Sequence, residues 1–520
     1  MALGSSSSLL GRAWKSPTIL PLCILVFFAL LGVVWALARP YGASVDEEAH
    51  YVRALAVSTG DVIGEPDTWH YNPLTPAQQR TIDAATRRVD LPQRVAAKHS
   101  PSGESIFNCF AFATALPASC IGEPTGRVVD RTYVGIYPPV PYVVPGLAAR
   151  PASGPGGGLL LARLGSGIVC LAVLGLCLWG VRDRDAPALS VLGVCVALLP
   201  TVLYFSWSMN ANGLEMVGGI AFVALCLRLV RGELASGWLW GATGLVGFLL
   251  GSSRPLGFVW IFFGLWVAVL LHGPSKAARA VRGGGRRAGV MFAVLGATVT
   301  GVIVWNTVLG ARAPGGVSTW PELIEAAVRQ VFEGFLPEQI AVSGWGETLL
   351  PASLYLVWKG LLLGIAAVAL VLGNWRQRLA PLLLLVTYLA GAVLLSRLLE
   401  ANGYPLGGRY LQPAFTAFPL IWGEVILLNQ HRLAAWLHRG VPSVCAVVVA
   451  AVNGAALFVN GRRYSVGTDG PWSYLVGGGG GWSPRGGWLP WAALTVTGMV
   501  VLTVGFVAHS KQRSAAPTIA

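Results

Sequence analysis

The sequence predicts an all-α, polytopic integral membrane protein with about twelve transmembrane helices and a large extracytoplasmic first loop. Of its 520 residues, 54% are hydrophobic and only 12% are charged, about half the charged fraction of a typical soluble protein. Apolar runs of about 20 residues recur along the chain, and each is long enough to cross a bilayer as a helix. The expected spans are 17–38, 158–180, 187–207, 214–230, 236–251, 254–272, 288–309, 352–372, 379–397, 409–429, 441–459 and 488–508.

The first span has one alternative. Ala36-Leu37-Ala38 imitates a signal-peptidase cleavage site, so the run could be a cleaved signal peptide. Its 22 residues, 17–38, are long for the apolar part of such a peptide. A retained transmembrane helix is therefore favoured.

The Arg and Lys residues predict the orientation. The cations of the short loops, such as Arg182 with Arg184 and the five in 276–287, fall on one side of the membrane if the chain crosses it twelve times. This arrangement places both termini, 1–16 and 509–520, in the cytoplasm of a bacterial plasma membrane. The net charge of +14 thus follows membrane topology. Nucleic acid is not an expected partner, because no basic tract is interleaved with aromatic residues.

Three polar segments are placed on the outer side of the membrane: 39–157, 310–351 and 460–487. Between them, 158–309 contains helices 2–7 and 352–459 contains helices 8–11. In the first segment, Thr75 and Gln78 form a capping box that opens a polar helix to about Asp90. The stretch 137–147 has four prolines and predicts a short helix at the membrane interface.

The other two outer segments have different patterns. Pro321 opens an amphipathic helix that either lies flat on the outer leaflet or packs on the outer loops. In the third segment, Gly477 to Gly481 form a glycine run that lacks the Lys-Ser/Thr of a phosphate-binding loop. The tryptophans around it are typical of an interfacial aromatic belt.

Two cysteines lie in the large outer loop. Cys109 and Cys120 predict a disulfide there, with two unpaired thiols as the alternative. Their spacing matches no zinc motif, and no metal ligands are assigned. The remaining six cysteines lie inside apolar runs, where a cysteine usually serves as a small apolar side chain.

The main candidate for chemistry lies just beyond the first span. Asp46, Glu47 and Glu48 are consecutive carboxylates, and a helix beginning there places Asp46, His50 and Arg53 on one face. The simpler interpretation is an acidic first turn that favours the helix dipole. Further polar residues are expected near the same membrane face, and a charge at that depth is costly unless it faces a polar cavity or a partner. These residues are Asn210, Asn212, Glu215, Arg254, Arg409 and Tyr410.

A carboxylate beside outward arginines suits sugar transfer from a polyprenyl-phosphate donor to a glycan or glycolipid acceptor. The carboxylate would remove the proton of the acceptor hydroxyl, and guanidinium groups would neutralise the departing phosphate. The lipid tail of the donor explains a site embedded in the bilayer. A transporter or flippase for lipid-linked sugar is one alternative, and a non-catalytic scaffold for envelope assembly is another.

The residues also carry a resemblance. The polar loop after the first span, with an acid at its start and Tyr137-Pro138-Pro139 before the second span, resembles the GT-C superfamily of membrane glycosyltransferases. More closely, Val45 to Arg53 resembles the opening of the bacterial membrane family called domain of unknown function 2142. The resemblance extends over about 35–430 and includes Ser208 to Asn212, Ser252 to Pro255 and Gly408-Arg409-Tyr410.

The resemblance implies a GT-C-like fold in which Asp46 has the position of the catalytic carboxylate and Glu47 is its helper or a metal contact. Arg254 and Arg409 are then expected to clamp phosphate, and a divalent cation, Mg or Mn, is left open as a cofactor. The residues expected to bind or orient substrate are His50, Arg53, Tyr137, Asn210, Asn212, Glu215, Arg254, Arg409 and Tyr410. The sequence departs from the family pattern where Val45 and Glu48 replace prolines, Asn212 replaces Asp and Arg254 replaces Lys.

Overall fold

The computed structural model describes residues 16–68, 75–92, 109–121, 129–232, 236–310, 318–401, 406–477 and 481–512. Residues 1–15, 478–480 and 513–520, which include most of both predicted cytoplasmic termini and the centre of the glycine run, lie outside the described residues.

Helices dominate the described chain. In order they are α1 (Ile19–Leu37), α2 (Glu47–Thr59), α3 (Pro76–Ala85), α4 (Val140–Ala149), α5 (Pro155–Val181), α6 (Pro187–Ala197), α7 (Pro200–Ser206), α8 (Ala211–Arg231), α9 (Gly237–Gly251), α10 (Val259–His272), α11 (Pro274–Gly284), α12 (Arg286–Leu309), α13 (Trp320–Gln330), α14 (Leu336–Ala341), α15 (Ala352–Leu372), α16 (Trp375–Ala401), α17 (Gln412–Leu428), α18 (Ala435–Val466) and α19 (Leu489–Gln512). The strands are β1 (Glu65–Pro66), β2 (Arg87–Asp90), β3 (Val129–Thr132), β4 (Val342–Ser343) and β5 (Thr348–Leu349).

The predicted class, an all-α polytopic membrane protein, is confirmed. Among the described residues, nine helices are long and apolar enough to cross a membrane, and eleven crossings result if two bent helix pairs each count as one. Those pairs are α6 with α7 and α10 with α11. The short apolar helix α9, with 15 residues, occupies the remaining expected span at 236–251.

The span expected at 187–207 is not one straight helix. It breaks between α6 and α7, whose axes differ by 74°. Pro200 explains the break, because a proline disfavours helical backbone in the residue before it, and Leu199 is extended. The carbonyl of Leu198 at the break accepts a hydrogen bond of 3.0 Å from the Asn453 side chain.

The basic segment after the sixth span is also helical, although the sequence indicated a loop. Gly273, with φ of 82°, ends α10, and Pro274 opens α11 at an angle of 116° to it. No residue of α11 is buried, and the bend away from α10 leaves its cations on the surface of the protein.

The first outer segment contains a three-stranded antiparallel sheet in the order β1-β2-β3. The predicted capping box is confirmed, since Thr75 and Gln78 exchange hydrogen bonds at the start of α3. The helix does not continue to Asp90, however. It ends at Ala85 because the next residues form β2, where Arg88 pairs with Arg131 of β3.

The helix α4 forms within the proline-containing stretch expected at the membrane interface. It packs closely on α2, since a Cβ atom on Gly146 would lie 2.0 Å from the carbonyl oxygen of Ala54. On its other side it approaches α5, where a Cβ atom on Gly165 would lie 3.0 Å from Pro145. These contacts place Tyr142 beside α2.

Cys109 and Cys120 are joined by a disulfide bond. The loop that they close is held on the end of α18, where Arg463 donates to the carbonyl oxygens of Phe110 and Leu116, both at 2.8 Å. The large outer segment is therefore tied to the last third of the chain.

Some apolar residues of the amphipathic segment are buried in the protein, and others are exposed on its surface. From α13 onward, Leu323, Ala327, Val331 and Phe335 are buried, and α13 packs against α16. On another side of the same segment, Trp320, Ile324 and Phe332 are exposed. We call these three residues the apolar edge. The segment thus packs on the bundle and still presents an apolar surface.

Candidate active site

Asp46 occupies an unusual backbone position. It is the residue before α2, with φ of 60° and ψ of 8°, in the left-handed region that few non-glycine residues adopt. Such a conformation costs about 1–3 kcal/mol and persists only where its surroundings enforce it. The side chain does not cap α2. It points instead toward residues from two other parts of the chain.

Two side chains approach the Asp46 carboxylate. The Tyr133 hydroxyl donates to Oδ1 at 2.9 Å, and Nη2 of Arg409 lies 3.5 Å from Oδ2. Burial raises the pKa of Tyr133 well above its usual value, with Asp46 adding to the effect, so this hydroxyl stays protonated. The side chains of Asp46 and Arg409 are 28% and 25% exposed, which leaves both open to a ligand.

Glu47, one residue later, lies in the opposite environment. Its side chain has no exposed surface and receives two hydrogen bonds from Arg163, at 2.8 and 2.5 Å. Burial alone would raise its pKa, yet Arg163 and Arg39 together lower it below its usual value. The structure therefore does not bring Glu47 to the open side of Asp46. It holds Glu47 within the protein as the anchor of an ion-pair network.

His50 lies one helical turn after Asp46, as predicted. Its Nδ1 lies 2.6 Å from the Tyr142 hydroxyl, and only 3% of the residue is exposed. Burial lowers the pKa of His50 to about 3, despite an opposing effect of Asp46, and the nearby Arg254 lowers it further. The imidazole is consequently neutral at physiological pH.

Arg53 holds the backbone next to the site. It is fully buried and donates to the backbone carbonyls of Val62 at 2.7 Å and Tyr137 at 2.8 Å. These bonds fix the backbone of Tyr137, whose ring stands edge-on to His50 at 5.7 Å. Arg53 is thus on the predicted face of α2, but its charge is used in backbone contacts.

Arg254 comes from the turn between α9 and α10. It donates to Asn212 Oδ1 at 2.8 Å and to Glu215 Oε2 at 3.1 Å, while Trp260 donates to the other Glu215 oxygen at 3.0 Å. Its Nε atom has no hydrogen-bond partner among the residues that the structure describes. This donor is enclosed by protein, and the Arg254 side chain as a whole is only 13% exposed.

Tyr410 connects the two arginines. The Arg254 guanidinium carbon lies 4.9 Å from the centre of the Tyr410 ring, and that of Arg409 lies 5.2 Å from it. Arg409 and Tyr410 belong to a short 3₁₀ turn, Gly408–Leu411, just before α17. The structure thus brings Asp46, Arg254 and Arg409 together from three distant parts of the chain.

Asn210 links this cluster to the Asp46 turn. Its side-chain nitrogen donates to the carbonyl of Val45 at 3.0 Å, and its oxygen accepts from the Asn212 side chain at 2.8 Å. Asn212 in turn holds Arg254. Both asparagines are buried, so they position the charged groups and present little surface of their own.

Several residues around the site were not predicted. Tyr133 contacts Asp46, and Arg163 holds Glu47. Glu338, from α14, accepts a hydrogen bond from the backbone nitrogen of Gly408, and burial raises its pKa. The sequence held a signal for Arg163, because it is a charge within an apolar run and therefore needs a buried partner. Tyr133 and Glu338 lie in polar outer segments, where no comparable signal exists.

The residues present do not fit a divalent cation. Within the described ranges, no group of three or more His, Cys, Asp and Glu side chains is placed to hold a metal ion. The carboxylate of Asp46 faces Tyr133 and Arg409, and that of Glu47 is held by Arg163. We therefore derive no step through a metal.

The chain matches the family described as "Predicted membrane protein (DUF2142)" over residues 27–417. This region includes every residue of the cluster around Asp46, Arg254 and Arg409. No curated protein and no solved structure matches the chain. The chain belongs to the DUF2142 family of predicted membrane proteins.

Proposed function

We propose that this protein is a GT-C-like membrane glycosyltransferase that moves a sugar from a polyprenyl-phosphate donor to a cell-envelope glycan or glycolipid. The reaction would take place at the outer face of the bacterial plasma membrane. The observation that carries the proposal is the convergence of Asp46, Arg254 and Arg409. Asp46 and Arg409 are 3.5 Å apart, and Tyr410 packs against both guanidiniums.

The two arginines suit the phosphate of the donor. Guanidinium groups bind phosphate oxygens with planar, forked donors, and such charge-assisted bonds are about twice as strong as neutral ones. Arg254 is held in place by Asn212 and Glu215, and its side chain is 13% exposed. Arg409 is partly exposed. A phosphate can therefore reach Arg409 directly, and Arg254 through the part of its side chain that remains exposed.

Asp46 would act as the general base. Its carboxylate takes the proton of the acceptor hydroxyl, and the hydroxyl oxygen forms a bond to the anomeric carbon of the donor sugar. The bond between that carbon and the phosphate oxygen breaks, and the phosphate leaves with the electron pair. Arg254 and Arg409 neutralise the charge that develops on it. A positioned base of this kind contributes about 10²–10⁴-fold to the rate.

The apolar edge offers a surface for the lipid tail of the donor. Trp320, Ile324 and Phe332 are exposed on the segment that leads to the site. This segment meets the Arg409 turn directly, because a Cβ atom on Gly408 would lie 3.0 Å from the carbonyl oxygen of Phe335. A prenyl chain on the apolar edge would thus end near the arginine that is expected to hold its phosphate.

The test is sugar transfer by the purified full-length protein in detergent, with a panel of synthetic polyprenyl-phosphate sugars and envelope glycan acceptors. Asp46→Asn should lower kcat by about 10²–10⁴-fold with little change in thermal stability. Glu65→Gln, an exposed acid in the same outer segment, is the matched control and should keep full activity. Equal activity of Asp46→Asn and the wild type would overturn the assignment of the base.

The same assay distinguishes a transferase from a transporter, because micelles have no second compartment and only a transferase makes a product in them. If no donor supports transfer while proteoliposomes move the lipid-linked sugar between leaflets, the protein is a transporter and the proposal is wrong. If neither occurs and the envelope glycan is unchanged in cells that carry Asp46→Asn, the scaffold alternative holds.

A further inference from the structure

A groove lies far from the Asp46 cluster, at the other end of the bundle. The helices α9 and α12 pack side by side, and between them a groove of about 360 Å³ opens on the outer surface of the bundle. Its mouth carries Arg286 and Arg287, the first two residues of α12. The C-terminal end of α12 lies at the site end, where Asn306 donates to the carbonyl of Pro255 beside Arg254.

Three glycines of α9 create the groove. Gly237, Gly241 and Gly244 are spaced by four and three residues and therefore share one helix face. A Cβ atom on Gly241 would meet no atom within 4 Å. One turn further, the groove closes, because Leu295 would lie 2.3 Å from a Cβ atom on Gly247. The opening is thus confined to the first turns of both helices.

The walls combine an apolar surface with positive charge. Trp240 and Met291 line the groove, and Val290 on its wall is 57% exposed. Of the described residues that line it, none is acidic. Arg286 and Arg287 are exposed at the N-terminus of a 24-residue helix, where the helix dipole adds to their attraction for an anion. The groove is therefore complementary to a ligand with one anionic group and one apolar chain.

We propose that this groove binds one anionic phospholipid from the leaflet at that end of the bundle. Its phosphate lies between Arg286 and Arg287, and one acyl chain lies along Gly241 and Gly244. A soluble phosphate would make no use of the apolar walls. The cationic choline of phosphatidylcholine would lie near two guanidiniums. Each basic residue near a membrane surface favours anionic lipid, so an anionic headgroup is selected over a zwitterionic one.

The test is lipid retention by the purified full-length protein in native mass spectrometry, with phosphatidylglycerol and phosphatidylcholine as the two probes. The wild type should retain one phosphatidylglycerol molecule with a preference of about tenfold over phosphatidylcholine. Gly241→Leu places a side chain in the groove at a position where its Cβ atom meets nothing within 4 Å, and should lower phosphatidylglycerol retention about tenfold. Double substitution Arg286→Gln with Arg287→Gln should remove the preference between the two lipids.

Two control variants match these changes. Gly289→Leu adds the same side chain to α12 at an exposed position where a Cβ atom also meets nothing within 4 Å. Arg439→Gln removes an exposed cation on α18. Both should retain phosphatidylglycerol as the wild type does. Equal losses in the controls, or full retention in Gly241→Leu, would overturn the proposal. Displacement by an equal concentration of polyprenyl phosphate would also overturn it and make the groove a carrier-lipid site.

Discussion

Asp46 and Glu47 are adjacent carboxylates that the fold uses in different ways. The left-handed backbone at Asp46 turns its side chain toward Tyr133 and Arg409, where it stays partly exposed. The next residue begins α2 and directs its carboxylate into the protein, where Arg163 binds it. Arg163 also donates to the carbonyl of Pro40 at 2.7 Å, so the Glu47 network fixes the turn that presents Asp46. Asp46 is thus available for chemistry because Glu47 fixes the backbone that positions it.

This division predicts different losses for the two acids. Glu47→Gln leaves the buried guanidiniums of Arg163 and Arg39 without their counter-charge, and this should lower the free energy of unfolding by about 3–5 kcal/mol. Asp46→Asn should change it by less than about 1 kcal/mol, because the Asp46–Arg409 pair is partly exposed. Detergent-based chemical unfolding measures both. A stable Glu47→Gln protein with reduced transfer would show that Glu47 takes part in the reaction itself.

His50 should make stability depend on pH. In the folded protein its pKa is about 3, whereas an unfolded histidine has a pKa of about 6.5. Below about pH 6.5 the unfolded chain therefore binds a proton that the folded protein excludes, and the folded state loses stability as the pH falls. Between about pH 6 and about pH 4.5, the wild type should lose about 1.4 kcal/mol per pH unit more than His50→Gln.

The measurement is the unfolding free energy of both proteins across that pH range. Tyr142→Phe removes the hydrogen bond to His50 but keeps the ring, so this variant should retain the steep pH dependence, since burial is the main cause of the low pKa. Parallel curves for the wild type and His50→Gln would show that His50 is solvated in the folded protein.

At the level of elements, close helix packing in this bundle depends on a few glycines. Trp207, at the end of α7, is inserted between α1 and α5. A Cβ atom on Gly32 or on Gly167 would lie 2.0 Å from its ring. The indole is 2% exposed and packs beside Phe28. This side chain fills the space between α1 and α5 at the end of α7.

Gly32→Ala should therefore destabilise the protein, although alanine favours helix more than glycine does. The added methyl group overlaps the Trp207 ring, and overpacking of this kind costs about 1–3 kcal/mol. The matched control is Gly360→Ala in α15, where a Cβ atom meets nothing within 4 Å. The control should gain about 0.5–1 kcal/mol from helix propensity alone. Thermal unfolding compares the two, and equal shifts of both variants would contradict the packing of Trp207.

The elements also show what the sequence could predict. The lengths of the apolar runs were sufficient to predict the fold class. The positions of the cations predicted which ends of the spans share a membrane face, so Asp46, Arg254 and Arg409 could be expected near one another. The break at Pro200 was not predicted, because a continuous apolar run conceals a change in direction. The strand at Arg87–Asp90 was missed as well, since its partners are distant in sequence: β1 lies about 20 residues before it and β3 about 40 residues after it. Contacts such as Tyr133 with Asp46 depend on these long-range placements.

At the level of the whole molecule, two helices connect the site to the opposite end of the bundle. The helix α8 carries Asn212 and Glu215 at one end and Arg231 at the other, while α17 follows Arg409 and carries Glu424. Arg231 and Glu424 form an ion pair at 2.6 Å. The groups that hold Arg254 and the turn that carries Arg409 thus belong to helices that are also joined at their far ends. This ion pair adds a contact between α8 and α17 at the end opposite the site.

The orientation of the bundle yields the last prediction. The cation pattern predicts that the Asp46 end lies outside the cell and α11 in the cytoplasm. The six cysteines outside the disulfide are all buried, so the native protein should react little with a thiol reagent. Arg80→Cys, at an exposed position of α3, should react in intact cells with a membrane-impermeant maleimide. Arg279→Cys, exposed on α11, should react only after permeabilisation. The reverse labelling pattern would place the Asp46 cluster in the cytoplasm, where the acceptor glycans of the outer envelope are out of reach.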